Sequence, residues 1–268
     1  MADQYAKSAL EHGALPTRQP STTNKPPPRG KTPFPLSIPV LAHLRSPTTR
    51  TILASASPRR HQIFSLLSIP FTITPSLKPE NLSKSELGPF NYVLQTCIQK
   101  VLDVYTIALE TSIASIPDPS LVVGADTVVV TNSGLILEKP RNEKEHIAML
   151  KMLRDQKTHK VYTAVAVLAP REDARAPGYN LETTVEETKV YFSEESSDEL
   201  IEAYVKTREG ADKAGGYGMQ GMGGLLVEKI EGAADNVVGL PLRVTLALIE
   251  KAIFNQGDPE EEGEEEEE

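Results

Sequence analysis

Residues Leu121 to Val130 read Leu-Val-Val-Gly-Ala-Asp-Thr-Val-Val-Val, an almost wholly apolar and β-branched run. A strand of this composition has no face it can leave wet, so it must be covered on both sides. Shorter signals alternate around it. Thr51 to Ala54 and Phe71 to Thr74 have strand character, and Pro58 to Ser68 and Pro89 to Leu109 have helical spacing. Asn132-Ser133-Gly134 turns into a short strand from Leu135 to Leu137, and Asn142 caps a helix running to Arg154. Val161 to Leu168 and Val185 to Phe192 read as strands flanking a polar surface loop from Pro170 to Asn180. A helix over Ser197 to Thr207, a strand over Leu225 to Ile230 and a helix over Leu240 to Phe254 complete the chain. The alternation predicts an α/β fold, a mixed twisted sheet with flanking helices.

One acid interrupts the apolar run. An unpaired carboxylate at Asp126 would cost several kcal/mol, so a cation, a metal or a cleft must lie beside it. A structural salt bridge is one reading, and a metal-binding or general-base aspartate is the other. The neighbouring Gly124 and Ala125 favour the second, since small residues let a ligand approach the backbone.

The octet Leu53-Ala-Ser-Ala-Ser-Pro-Arg-Arg60 joins a strand to a helix, with Ser57 placed as N-cap and Pro58 as first helical residue. Arg59 and Arg60 fall in a first turn, where the macrodipole disfavours cations. An anion such as phosphate would compensate them; solvent is the alternative. Lys139, in Glu138-Lys139-Pro140, gains interest because its hairpin returns beside Asp126. Lys100 lies on an apolar helix near Cys97 and either snorkels to water or enters a cleft. Between Gly215 and Gly224 six of ten residues are glycine, which is unfit for a helix or a strand. This segment suits a tight loop laid on a ligand, with Gln220 able to read a base edge through its amide. It has no Gly-Lys-Ser or Gly-Lys-Thr P-loop, and the five histidines show no metal spacing.

Residues 1 to 50 hold nine prolines and seven basic side chains against two acids, and read as a disordered Pro-rich arm over 1–49. They lack the hydrophobic run of a secretory signal. Residues 258 to 268 carry nine acids, equal to the whole net charge of −9, so the rest of the chain balances to zero and 257–268 reads as an acidic disordered tail behind a core of residues 50–256. A charge distribution without a basic stripe predicts no nucleic-acid partner, and no run is long enough to predict a membrane span. The single Cys97 cannot form an intramolecular disulfide, which fits a soluble protein of the cytoplasm.

Taken in order, Ala54 to Arg60, Gly124-Ala-Asp-Thr127, Lys139-Pro140, Asp212 to Gly221 and Asn236 to Pro241 resemble the Maf family of nucleoside triphosphate pyrophosphatases. The resemblance covers about residues 50 to 254. It implies a two-lobed elongated fold related to the inosine triphosphate pyrophosphatases, with a central cleft. It also implies hydrolysis between the α and β phosphates with a divalent metal cation, Mg²⁺ or Mn²⁺, and a homodimer. On this chain it makes Asp126 the proton acceptor and, with Glu80, a metal ligand. Ser57, Arg60, Lys100, Lys139 and Lys213 would hold the triphosphate. Arg59, Thr127 and Gln220 match the family members acting on dTTP and UTP rather than the 7-methyl-GTP branch. Glu138 is a departure, standing where a glycine commonly precedes the Lys-Pro pair and adding negative charge. Two alternatives remain open: the 7-methyl-GTP type, and a nucleotide-binding regulator of cell division with incidental turnover.

Overall fold

The computed structural model describes residues 34–111, 116–171 and 176–254 of the chain. Helix α1 (Pro39–Leu44) leads into β1 (Thr51–Leu53), α2 (Pro58–Ser65), β2 (Thr72–Ile73) and the long α3 (Lys84–Glu110). Then come β3 (Leu121–Thr131), β4 (Ile136–Leu137), α4 (Glu143–Asp155), β5 (Thr158–Pro170) and β6 (Tyr179–Phe192). Helix α5 (Asp198–Lys206), β7 (Val227–Glu231), α6 (Ala234–Val238) and α7 (Leu242–Phe254) close the order. The seven strands make one mixed sheet in the order β2-β1-β3-β5-β6-β7, with β4 also on β3. The expected α/β class with flanking helices holds.

Strand β3 is covered on both faces, as its composition requires. Its odd residues Leu121, Val123 and Ala125 pack with Leu41, Phe64 and Ile249, on the side of α1, α2 and α7. Its even residues Val122, Val128 and Val130 pack with Val93, Cys97 and Val101 of α3. Further along, Val129 joins Leu150 of α4 and Ile201 of α5. Burial pushes the Cys97 thiol up to about 12, so it stays a neutral packing group.

The sheet opens at one place. Strand β5 pairs along the whole of one edge of β3, from Val122 to Thr131. The other edge is shared: parallel β1 takes Leu121 to Val123, and antiparallel β4 takes Val129 and Val130. Residues 124–128 lie between the two partners. An open sheet places ligand clefts where neighbouring strands part in this way.

Two helices depart from the sequence expectation. Residues 38–49 fall in the stretch read as a disordered arm, yet α1 buries Val40, Leu41 and Leu44 in the core. Pro39 at the first helical position starts it, and the apolar i, i+1, i+4 spacing supplies its packing face. The arm's prolines mask that short pattern. Helix α6 interrupts the segment read as a lead-in to the last helix, ending at Gly239 with φ 116°. The helix expected from Pro89 does start there, because Gly88 at φ 67° separates it from a preceding turn over Lys84 to Leu87. Strands β5 and β6 pair as far as Pro170 and Tyr179, at the two ends of the segment read as a loop, and residues 172–175 within it lie outside the described residues. Residues 1–33 of the arm and the acidic tail lie outside the described residues. No helix among the described residues is long and apolar enough to cross a membrane.

Candidate active site

A cleft of about 600 Å³ forms at the opening beside β3. Ser57, Arg59, Arg60, Glu80, Lys100, Asp126, Thr127, Lys139, Lys213 and Gln220 all line it, so every residue given a catalytic, metal-binding or substrate-binding role in the sequence reading reaches one cavity.

Asp126 points from the α3 face of β3 and is 7% exposed. Its Oδ1 accepts from Lys100 Nζ at 2.7 Å, and the same ammonium reaches Glu80 Oε1 at 2.6 Å. Lys100 therefore enters the cleft rather than snorkelling away from it. Burial pushes the Asp126 carboxyl above the ordinary range, against the pull of Lys100 and Arg60. Glu80 is moved up by burial too, but the bond and charge of Lys100 together with the charges of Lys139 and Arg60 outweigh this and leave it below the ordinary range. Lys100 is raised, since its two acids together overcome its own burial. The chemistry of Glu80 and Asp126, two carboxylates converging on one cationic atom, is the hard-oxygen pair that suits Mg²⁺ or Mn²⁺, with phosphate and water completing the shell. No group of three acidic, histidine or cysteine ligands occurs among the described residues.

The next residue, Thr127, faces the other way and meets Arg60. The guanidinium donates to Gly239 O at 2.7 Å through Nε and to Thr127 Oγ1 at 2.9 Å through Nη2. Thr127 lies 2.9 Å from Thr163 Oγ1, and the Thr163 hydroxyl donates to Asn236 O at 2.9 Å. Every proton in this row has an acceptor when Thr127 donates to Thr163, which orients Arg60 without an acid. Burial lowers its pKa, opposed chiefly by Asp126. Ser57 has the extended backbone of an N-cap but makes no side-chain cap bond. Its amide instead donates to Ser55 Oγ at 3.2 Å.

The smallness of Gly124 has a different cause from the one expected. A Cβ there would sit 2.4 Å from Val101 Cγ2, so the glycine admits α3 and not a ligand. Ala125 is buried in the core on the opposite face. Glu138, the departure before the Lys-Pro pair, is neutralised: Lys84 Nζ lies 2.7 Å from Oε1, and the Tyr92 hydroxyl donates to it at 3.4 Å. Lys139 remains exposed, with no side-chain partner among the described residues.

The glycine-rich segment forms the facing wall. Gly215 N donates to Glu138 O at 3.2 Å, tying the loop to the Lys139 turn. Lys213 Nζ donates to Asp212 Oδ1 at 2.7 Å, and Asp212 lies 3.6 Å from Arg59. Tyr217 is buried against His159, whose Nε2 is 2.7 Å from its hydroxyl. Sequence reasoning missed Ser55, Thr163, Lys84 and Tyr92. A threonine on an apolar strand and a tyrosine on an apolar helix carry no signal until the sheet register brings them to the cleft.

Comparison with known proteins adds independent findings. A family model described as Maf-like protein matches residues 50–252. A dTTP/UTP pyrophosphatase of Schizosaccharomyces pombe is 48% identical over 219 residues, which is 81% of this chain and 88% of that protein. A probable bifunctional dTTP/UTP pyrophosphatase/methyltransferase protein of Homo sapiens is 42% identical over 198 residues, covering 72% of this chain and 30% of that protein. Among solved structures, a nucleoside-triphosphatase, dITP/XTP pyrophosphatase, of Mycobacterium abscessus matches with a TM-score of 0.32 and 11% identity, over 55% of this chain and 75% of that one.

Proposed function

Since the chain belongs to the Maf family, we propose that it hydrolyses dTTP and UTP, with modified relatives of those pyrimidine nucleotides, to the monophosphate and diphosphate. The observation that carries this reading is the convergence of Asp126, Glu80 and Lys100 with the basic set and with Arg59, Thr127 and Gln220 in one cleft. Six basic and four acidic side chains line it among the described residues, a positive balance suited to a polyphosphate.

Each residue then has a task. Lys100 favours the ionised form of Glu80 and opposes the rise that burial imposes on Asp126. Asp126 Oδ1 is taken by Lys100, which leaves Oδ2 to orient a water and accept its proton as that water attacks the α phosphorus. Negative charge grows on the β phosphate as the α–β bridge breaks. Arg60, held by its neutral row of acceptors, has full charge to offer there, and Ser57, Lys139 and Lys213 bind the rest of the triphosphate. A bound Mg²⁺ or Mn²⁺ on Glu80 and Asp126 would supply further charge neutralisation and phosphoryl polarisation. Gln220, exposed on the loop wall, reads the base edge through its amide donor and acceptor. The reading includes action in the cytoplasm, supported by the unpaired buried Cys97, and the homodimer that family resemblance implies.

The test is diphosphate release from dTTP, UTP, CTP and 7-methyl-GTP by the purified full chain with Mg²⁺ or Mn²⁺. Release from dTTP and UTP is expected. Turnover of 7-methyl-GTP alone would transfer the chain to that branch, and no turnover by folded protein would leave the regulator reading.

A further inference from the structure

The loop that carries Gln220 has no sheet ladder to hold it. Its backbone runs through successive turns, Gly216 N to Lys213 O, Gly221 N to Gly218 O and Gly224 N to Gly221 O, each at 3.0–3.2 Å. Glycines lose more freedom on ordering than any other residue, so such a loop needs external ties. The Gln220 side chain makes no protein hydrogen bond among the described residues and is exposed. Only the path of the backbone places its amide.

One side chain outside the cleft sets that path. Glu209 follows α5, where Arg208 takes φ 62° and turns the chain back. Its Oε2 accepts from Met222 N at 3.0 Å and its Oε1 from Gly223 N at 3.0 Å. The Tyr204 hydroxyl donates to the same Oε1 at 3.3 Å and itself accepts from Gly218 N at 3.1 Å. Glu209 and Tyr204 thus pin Gly218 on one side of Gln220 and Met222 and Gly223 on the other. The fit is close: a Cβ at Gly221 would meet the Glu209 carboxylate at 2.5–2.6 Å. Burial works against ionisation of this carboxyl, but the two amides, the phenol and Lys213 outweigh it, so it stays charged.

We propose that Glu209 is a positioning residue for base selection: its carboxylate moulds the 218–223 loop and so fixes where Gln220 meets the nucleotide base. The proposal rests on the dTTP/UTP reading above. A feature of the contacts makes it separable from phosphate binding, because Lys213 Nζ donates to the main-chain oxygen of Glu209, not to its side chain. Replacing the carboxylate leaves that acceptor in place.

Glu209→Gln is the informative change, since its NH₂ would oppose a loop N–H and lose one of the two amide bonds. The experiment measures kcat/KM for dTTP and CTP in the full chain for wild type, Glu209→Gln, Gln220→Ala and the double variant. We expect Glu209→Gln to lower kcat/KM for dTTP about tenfold. The dTTP-to-CTP preference should fall to that of Gln220→Ala, with the double variant no worse than Gln220→Ala alone. Retained preference in Glu209→Gln, full additivity with Gln220→Ala, or a wild type without preference would overturn the proposal. If Glu209→Gln does not fold, Tyr204→Phe, which cuts the tie to Gly218, must lower the preference in its place. Should the wild type turn over no nucleotide, the function reading falls separately. The same four proteins are then compared by calorimetric binding of dTTP and CTP, where an absent pattern overturns the role of Glu209.

Discussion

On one wall of the cleft Asp126 and Lys100 project from β3 and α3, and the backbone beneath them is held by strand pairing and by packing against Val93, Cys97 and Val101. On the facing wall Gln220 rides on a glycine-rich loop tied by two hydrogen bonds to Glu209 and one each to Tyr204 and Glu138. Bond-breaking chemistry needs charged groups held to fractions of an ångström, and helices and strands hold side chains more precisely than loops do. The second wall can change its reading residue without disturbing the core. In the proposed roles the proton acceptor Asp126 sits on a strand and the base-reading Gln220 on a loop, so the two should respond differently to mutation.

The largest expected effect lies on the rigid wall. Asp126→Asn should lower kcat by about 10³-fold or more while the fold is retained. Diphosphate release and a melting curve measure both, and an unchanged rate in a folded variant would remove Asp126 from the mechanism.

The loop wall carries a pH signature through Tyr217 and its partner His159. Burial holds His159 neutral, its pKa lowered from 6.5 to about 4. The unfolded chain therefore binds this proton first as pH falls. The contribution is present in full above pH 6.5 and is lost between 6.5 and about 4. The loss should reach about 3 kcal/mol. Comparing wild type with His159→Phe by thermal unfolding from pH 7 to 4 checks this, and identical pH slopes in the two proteins would contradict it.

A packing change sharpens the contrast further. Gly124→Ala should destabilise by about 1–3 kcal/mol, because the new methyl meets Val101. Adding Val101→Ala should restore part of the loss; no rescue in urea unfolding would mean that α3 is not what the glycine admits. The smallest stability effect belongs to Gln220→Glu, within about 0.5 kcal/mol for an exposed side chain. Its use of dTTP and UTP should nevertheless fall about tenfold, with inhibition by diphosphate little changed. Equal loss across all nucleotides would break the division of labour between the walls.

Much of this was legible from residue patterns. The β-branched run over Leu121 to Val130 demanded cover on both faces, and α3 with the α1, α2 and α7 layer supplies it. Asn142 caps its helix through a side-chain bond to Glu145 N, as expected, while Ser197, read as the first helical residue, is instead the N-cap, accepting from Leu200 N. Short elements were less legible. Helix α1 is six residues hidden among prolines, and its stability comes from burial against Phe64 and Ile249 rather than from local preference.

The sequence by itself determined the alternation of strands and helices and the presence of a carboxylate where none could stand alone. It determined too a flexible glycine segment that had to lie against something. Only the tertiary structure decided which charges meet. Lys100 bridges Asp126 and Glu80, Lys84 cancels Glu138, and Arg60 ends on Thr127 and Gly239. These partners lie 20 to 179 residues apart in the chain, from Glu80–Lys100 to Arg60–Gly239. Local pattern records each side chain's periodicity and charge, but sheet register and helix packing set which atoms come within 3 Å of one another.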